Sequence, residues 1–192
     1  MAKCLSCSER KGKRSCPALE GMICSQCCGS KREVEIQCPP DCSYLAHSKQ
    51  FLTEKHDSRQ LADFERQMKS IIGNEGMYMD ILQNIEFAIV EPYREGRNIT
   101  DRDVQTALEY LMEVGKAQLN LPSNPQSELP FKIQSIVDSI EDVLEMRKSI
   151  VGQKEDIMRH LKCIYRVLYS VRTHYSPDDE RSYLNFIAQY IK

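Results

Sequence analysis

Residues 4–42 read CLSCSERKGKRSCPALEGMICSQCCGSKREVEIQCPPDC, and the spacing of the eight cysteines in this stretch decides how the chain begins to fold. Written out it is Cys4-x2-Cys7-x8-Cys16-x7-Cys24-x2-Cys27-Cys28-x9-Cys38-x3-Cys42. No aromatic residue precedes Tyr44, and the apolar residues before it are sparse and without helical period. Such a stretch has too little apolar surface to support a core of its own, so something other than burial must hold it.

Zinc takes four tetrahedral ligands, and a Cys-x2-Cys turn brings two thiolates to one ion while backbone amides donate to the sulfurs. Two such turns occur, at Cys4/Cys7 and Cys24/Cys27. Cys38 and Cys42 lie four apart, which on a helix would put both thiolates on one face. Adjacent side chains point apart in an extended or turning backbone, so Cys27 and Cys28 are assigned to different ions. The expected grouping is Cys4, Cys7, Cys24 and Cys27 around one zinc, with Cys16, Cys28, Cys38 and Cys42 around a second. Exchanging Cys27 with Cys28 gives an equivalent partition, and His47 or His56 is a substitute ligand. With every thiolate committed, neither ion keeps the open position of a catalytic zinc.

A binuclear module with interleaved ligands and a closing Cys-x3-Cys resembles the cross-brace zinc fingers, the class that includes RING, B-box and MYND domains. The resemblance covers residues 4–42. It is nearest to MYND at the opening Cys-x2-Cys and the closing four-residue pair, while the contiguous Cys27 and Cys28 and the isolated Cys16 depart from it. The stretch ICSQCCGSKREVEIQCPPDCSYL is also similar to the cysteine-rich head of uncharacterised bacterial helical proteins. The cross-brace likeness implies a protein-interaction module, and the departures in ligand pattern carry no ubiquitin-ligase activity with them.

Residues 1–42 hold seven Lys/Arg against five Asp/Glu, and the whole chain has a formal net charge of −2. Arg10, Lys11, Lys13, Arg14, Lys31 and Arg32 are expected chiefly to balance the negative thiolate centres, each formally −2. The same six are candidate phosphate contacts, a weaker reading because no aromatic residue interleaves them for base stacking. Within the module, Lys31–Gln37 alternates Val34 and Ile36 with charged residues and is expected to form one strand of a short β-ribbon. The opening residues contain no apolar signal core and no later run is long enough to span a bilayer, so a cytoplasmic protein with reduced thiols is expected.

From residue 43 onward the pattern is helical, and the fold class expected is an all-α bundle of about five or six helices behind the 1–42 module. Leu61, Phe64, Met68 and Ile71 recur at three and four residues, as do Ile81, Leu82, Ile85, Ala88 and Ile89. Thr100 with Asp103 reads as an N-cap and acidic capping box, and Ile99 with Val104 as the hydrophobic staple. Residues 120–127, with two prolines and no period, are expected to be a linker dividing the helical domain 43–192 into two halves. Beyond it Ile133 to Val171 predicts two antiparallel helices hinged near Gly152, and Ser176-Pro-Asp-Asp179 an N-capped start for the last helix. Met77, Met79, Met112 and Cys163 are assigned to core filling.

No nucleophile elbow, phosphate loop, His-Glu-x2-His or paired catalytic carboxylate is present, so catalysis has no visible apparatus. The sequence points to a non-enzymatic adaptor or regulator whose helical domain meets a protein partner or a second copy of itself. A nucleic-acid-binding regulator using the basic module, and a zinc–thiolate redox switch, are the two alternatives.

Overall fold

The computed structural model describes residues 2–146 and 153–191. By backbone contacts the chain divides into two compact units, Met1–Ser58 and Arg59–Lys192.

The first unit opens with the Cys4–Cys7 turn, closed by the Ser8 N–H on the Cys4 carbonyl at 2.8 Å. A two-stranded antiparallel ribbon follows, β1 (Arg14–Cys16) and β2 (Gly21–Ile23), in register Arg14↔Ile23 and Cys16↔Gly21. A single 3₁₀ turn at Pro17–Leu19 joins them, with Glu20 in the left-handed region at φ 49°. The chain then enters α1 (Ser25–Lys31), whose N-cap is Cys24.

The ribbon is therefore not where alternation placed it. After Lys31 ends α1, residues 32–37 form a loop bridged at Arg32↔Ile36, with Glu33 at φ 56°; Ile36 is buried and Val34 is 81 % exposed. A left-handed residue immediately before Val34, within a turn that spans 33–35, breaks the extended backbone that the Val34/Ile36 pattern requires. Cys38 and Cys42 also lie outside a helix: α2 (Ser43–Lys69) begins one residue after Cys42, whose carbonyl accepts from Ala46 N–H at 3.0 Å. The middle of α2 is solvated, with Phe51 and Leu52 exposed.

The second unit continues with α3 (Met79–Arg94), α4 (Asp101–Gln118), α5 (Phe131–Met146), α6 (Gln153–His174) and α7 (Ser182–Tyr190). Seven α-helices thus stand among the described residues, where five or six are expected from the sequence; the addition is α1, too short to show a helical period. One cluster of buried side chains runs from Phe64 and Met68 through Ile85, Ile89, Leu108 and Ile136 to Ile164, Tyr183 and Leu184. It draws on residues from both sides of the loop that contains 120–127. Met112 and Cys163 belong to this core, but Met77 and Met79 are exposed, because the 3₁₀ turn Glu75–Tyr78 before α3 rotates them outward. The hinge expected near Gly152 lies outside the described residues.

Two helix starts show how local and distant chemistry share the work. At α4, Thr100 Oγ1 accepts from Asp103 N–H at 3.3 Å and Asp103 Oδ2 accepts from Thr100 N–H at 2.8 Å, the reciprocal box the sequence predicts. At α7 the cap comes from elsewhere. Residues 176–179 form a bridged turn and the helix starts at Ser182, where the buried Asp101 carboxylate accepts from the N–H groups of Tyr183 at 2.8 Å and Leu184 at 3.1 Å. Burial pushes the Asp101 carboxyl above its usual range, and those two amides work against the rise.

Candidate metal centre

The elements of the first unit bring two Cys-x2-Cys pairs, one before and one after the ribbon in sequence, to its open end, where Arg14 pairs with Ile23. Cys4 and Cys7 sit on the opening turn, and Cys24 and Cys27 on the first turn of α1. Their four Sγ atoms lie within 4.8 Å of one another, and among the described residues no other group of three or more His, Cys, Asp or Glu side chains gathers in this way. Cys4, Cys24 and Cys27 are buried and Cys7 half-buried. The backbone donates to the sulfurs: Cys24 N–H to Cys4 Sγ at 3.2 Å and Cys27 N–H to Cys24 Sγ at 3.4 Å.

These contacts divide the thiols. Burial raises the Cys4 thiol, but the amides of Cys24, Cys7 and Ser6 outweigh it and bring it down to about 6. Cys7 is held below the usual thiol range by the amides of Arg10 and Glu9. Cys27 is pushed up to about 11, first by its hydrogen bond with the Cys24 thiol and then by burial. Four thiolates this close cannot all ionise without a cation among them. A closed set of four soft sulfur donors with amide support fits one tetrahedral ion of the zinc type.

Comparisons of the chain with protein-family profiles, with curated proteins and with solved structures each find no match. The reading of the site therefore rests on its chemistry.

The remaining four module cysteines do not converge to the same distance. Cys16, Cys28, Cys38 and Cys42 instead line one small cavity of about 10 Å³, together with Ser15, Ile23, Arg32, Ile36 and Tyr44. That space holds about one water-sized sphere. Cys16 ends β1, Cys28 sits on α1 beside Cys27, and Cys38 and Cys42 flank the turn before α2. Adjacent in sequence, Cys27 and Cys28 thus face different groups.

The basic residues sort themselves around these sulfurs. Arg32 Nη2 donates to Cys28 Sγ at 3.6 Å, and the Arg14 guanidinium lies 4.9 Å from the Tyr44 ring centroid. Burial works to raise the Cys28 thiol, but Arg14 and Arg32 prevail and hold it below its usual range. Lys31 pairs with Glu35 at 2.7 Å, which together with the nearby Cys27 and Cys7 charges raises its ammonium. Arg10 donates to the Gln26 side-chain oxygen. His47 and His56 are exposed on α2 and neither joins the convergent group. Sequence spacing does not foresee that Cys24 serves both as helix cap and as ligand candidate; a Ser-Gln dipeptide before a cysteine pair carries no apolar period to announce α1.

Among the described residues no helix is long and apolar enough to cross a membrane.

Proposed function

We propose that this protein is a non-enzymatic adaptor whose N-terminal module is built around two structural zinc ions and whose helical unit carries the partner-binding face. The observation that carries the reading is the convergence of Cys4, Cys7, Cys24 and Cys27 within 4.8 Å in a stretch with almost no aliphatic core. The finer half, a second ion held by Cys16, Cys28, Cys38 and Cys42, is supported by their common cavity and by the two guanidiniums that offset its charge. Zinc supplies cross-linking here: it neutralises and ties together thiolates from segments distant in sequence. All four donors of each set are consumed by the ion, so no position is left for water or substrate.

Support for the partner face comes from a cleft of about 540 Å³ in the second unit, where half-buried Tyr110 and Tyr165 offer aromatic surface over the buried Phe64 and Met68, bordered by Glu109, Lys116 and Arg172. Aromatic anchors with a charged rim are the composition of a recognition surface.

Elemental analysis of protein purified without added metal tests the core of this reading. About two zinc atoms per chain and a colourless sample are expected. Fewer than two, or iron, overturns the two-ion module. Affinity capture with the native chain and with Tyr110→Asp tests the cleft: a partner retained by the native protein and lost with the variant is expected, and equal capture by both removes the cleft from the proposal.

A further inference from the structure

The six basic residues of the module do not act as one cluster. Arg14 and Arg32 turn to Cys28, Lys31 to Glu35 and Arg10 to Gln26. Lys11 and Lys13 remain outward, and the structure adds a third lysine to them that sequence spacing leaves aside.

Lys3 and Lys11 are partners in an antiparallel bridge. The hydrogen bonds beside them run from Cys4 N–H to the Arg10 carbonyl at 2.8 Å and from Gly12 N–H to the Ala2 carbonyl at 3.1 Å. This is the pattern of a non-hydrogen-bonded cross-strand pair, the type in which opposing side chains come closest. The next amide, Lys13 N–H, donates to the other neighbour, the Ile23 carbonyl, at 3.0 Å. Successive amides pointing to opposite sides mark residues 11–13 as extended, so Lys11 and Lys13 share one face. Gly12 between them points the other way, where a Cβ would come within 2.5 Å of the Met22 Cβ. All three lysines are exposed, and none forms an ion pair with a described residue.

Like charges directly opposite each other destabilise a strand pair. Here the pair is extended by a third ammonium on the same face. We infer that the Lys3/Lys11/Lys13 face is a docking surface for the phosphate backbone of a nucleic acid, gripped by charge and without readout of base identity. The absence of aromatic residues before Tyr44 leaves no stacking platform for bases. Nor do the residues before Tyr44 supply an aromatic anchor of the kind that dominates protein–protein contacts. Lysine binds phosphate as a point charge, which suits a backbone contact of this kind. The proposal goes beyond the adaptor reading by giving the first unit a ligand of its own.

The test uses the full-length, metal-loaded protein and a fluorescent mixed-sequence duplex DNA, followed by anisotropy as salt is varied. Three phosphate contacts predict a slope of log affinity on log salt of about −2.7, hence a loss of roughly 40-fold between about 50 and 200 mM. Each single change, Lys3→Gln, Lys11→Gln or Lys13→Gln, should flatten the slope by about 0.9. The triple variant K3E/K11E/K13E should lose binding while keeping its zinc and its far-UV spectrum. Wild-type protein that shows no salt-dependent binding, or a triple variant that binds like wild type, overturns the proposal. So does polyglutamate competing as well as DNA at equal charge, which would assign the face to an acidic protein. If the triple variant sheds its metal, the slopes of the single glutamine variants decide. Zinc content read on the same samples separates failure of this face from failure of the metal reading.

Discussion

The two units of this chain bury different things. In the first, the cluster of buried side chains consists of Cys4, Cys16, Cys24, Cys27 and Cys28 with only Ile23 and Ile36 as aliphatic members. In the second, the buried cluster is continuous and built from Ile, Leu, Val, Met, Phe and Tyr across six helices. Two isoleucines contribute about 3–6 kcal/mol of burial between them, far short of what ordering the module requires. The contrast teaches that apolar area can hold the second unit, where helices supply it, whereas the first, whose residues are short and polar, needs the thiolate chemistry proposed for its cysteines. Perturbations aimed at one should leave the other standing.

The largest effect is expected from breaking the thiolate set. Replacing Cys24 by Ser removes one of the four converging candidate ligands and the sulfur that accepts from Cys27 N–H, and structural zinc of the kind proposed is worth about 10–16 kcal/mol in small modules. Limited proteolysis should open residues 1–42 and bound zinc should fall, while the helical signal and melting of the second unit change little. Loss of the whole helical signal on Cys24→Ser, or on chelation, would show one cooperative unit and end the distinction. The reverse experiment follows. Leu108 is fully buried, so Leu108→Ala should cost about 2–5 kcal/mol in the second unit and leave zinc stoichiometry intact. Metal loss in that variant would argue against separate cohesion.

A smaller and sharper probe concerns how closely the helices of the second unit approach. A Cβ on Gly115 of α4 would lie 2.3 Å from Leu161 Cδ2 and 2.9 Å from its Cγ, and Leu161 on α6 is itself buried. Gly115→Ala gains helix propensity but must displace a packed side chain. A net loss of about 1–3 kcal/mol is expected from overpacking, measured by denaturant unfolding. A stabilised variant would mean that α4 and α6 have slack at this crossing.

These contrasts also explain which features could be read from residues alone. The helices of the second unit announce themselves because their buried positions recur at three and four, and the Thr100/Asp103 box needs only four consecutive residues. That Cys27 and Cys28 diverge to different groups was legible, but which of the two joins Cys4, Cys7 and Cys24 was not, since spacing leaves the exchanged partition equivalent; the convergent sulfurs select Cys27. The ribbon was not, since strands of three residues are too short for alternation, while Val34 and Ile36 imitate it in a loop. Nor was the start of α7: Ser176-Pro-Asp-Asp179 carries every local signal of a cap, yet the acceptor that satisfies the amides of Tyr183 and Leu184 is Asp101, more than eighty positions away in sequence. Distant caps and like-charge pairs such as Lys3 and Lys11 exist only once the chain has folded.

The smallest expected effect is electrostatic and tests the second unit alone. Glu75, in the 3₁₀ turn before α3, accepts from Arg166 Nε of α6 at 2.8 Å, and this hydrogen bond first, with the Glu75 and Gly73 amides after it, holds its carboxyl below the usual range. A carboxyl with a depressed folded-state pKa binds fewer protons in the native than in the unfolded chain. Its contribution is therefore complete above the ordinary Glu value of about 4.3 and is lost as pH falls through the depressed one. Arg166 and Glu75 are each still more than a quarter exposed, so the pair is worth no more than about 1 kcal/mol at neutral pH. Glu75→Gln should lower the melting temperature slightly at pH 7, and the gap to wild type should close as pH drops below about 4. Asp101 and Glu141, both pushed upward by burial, titrate in either protein and cancel in the difference. If the two pH curves run parallel, the Arg166 contact holds the turn by geometry rather than by charge.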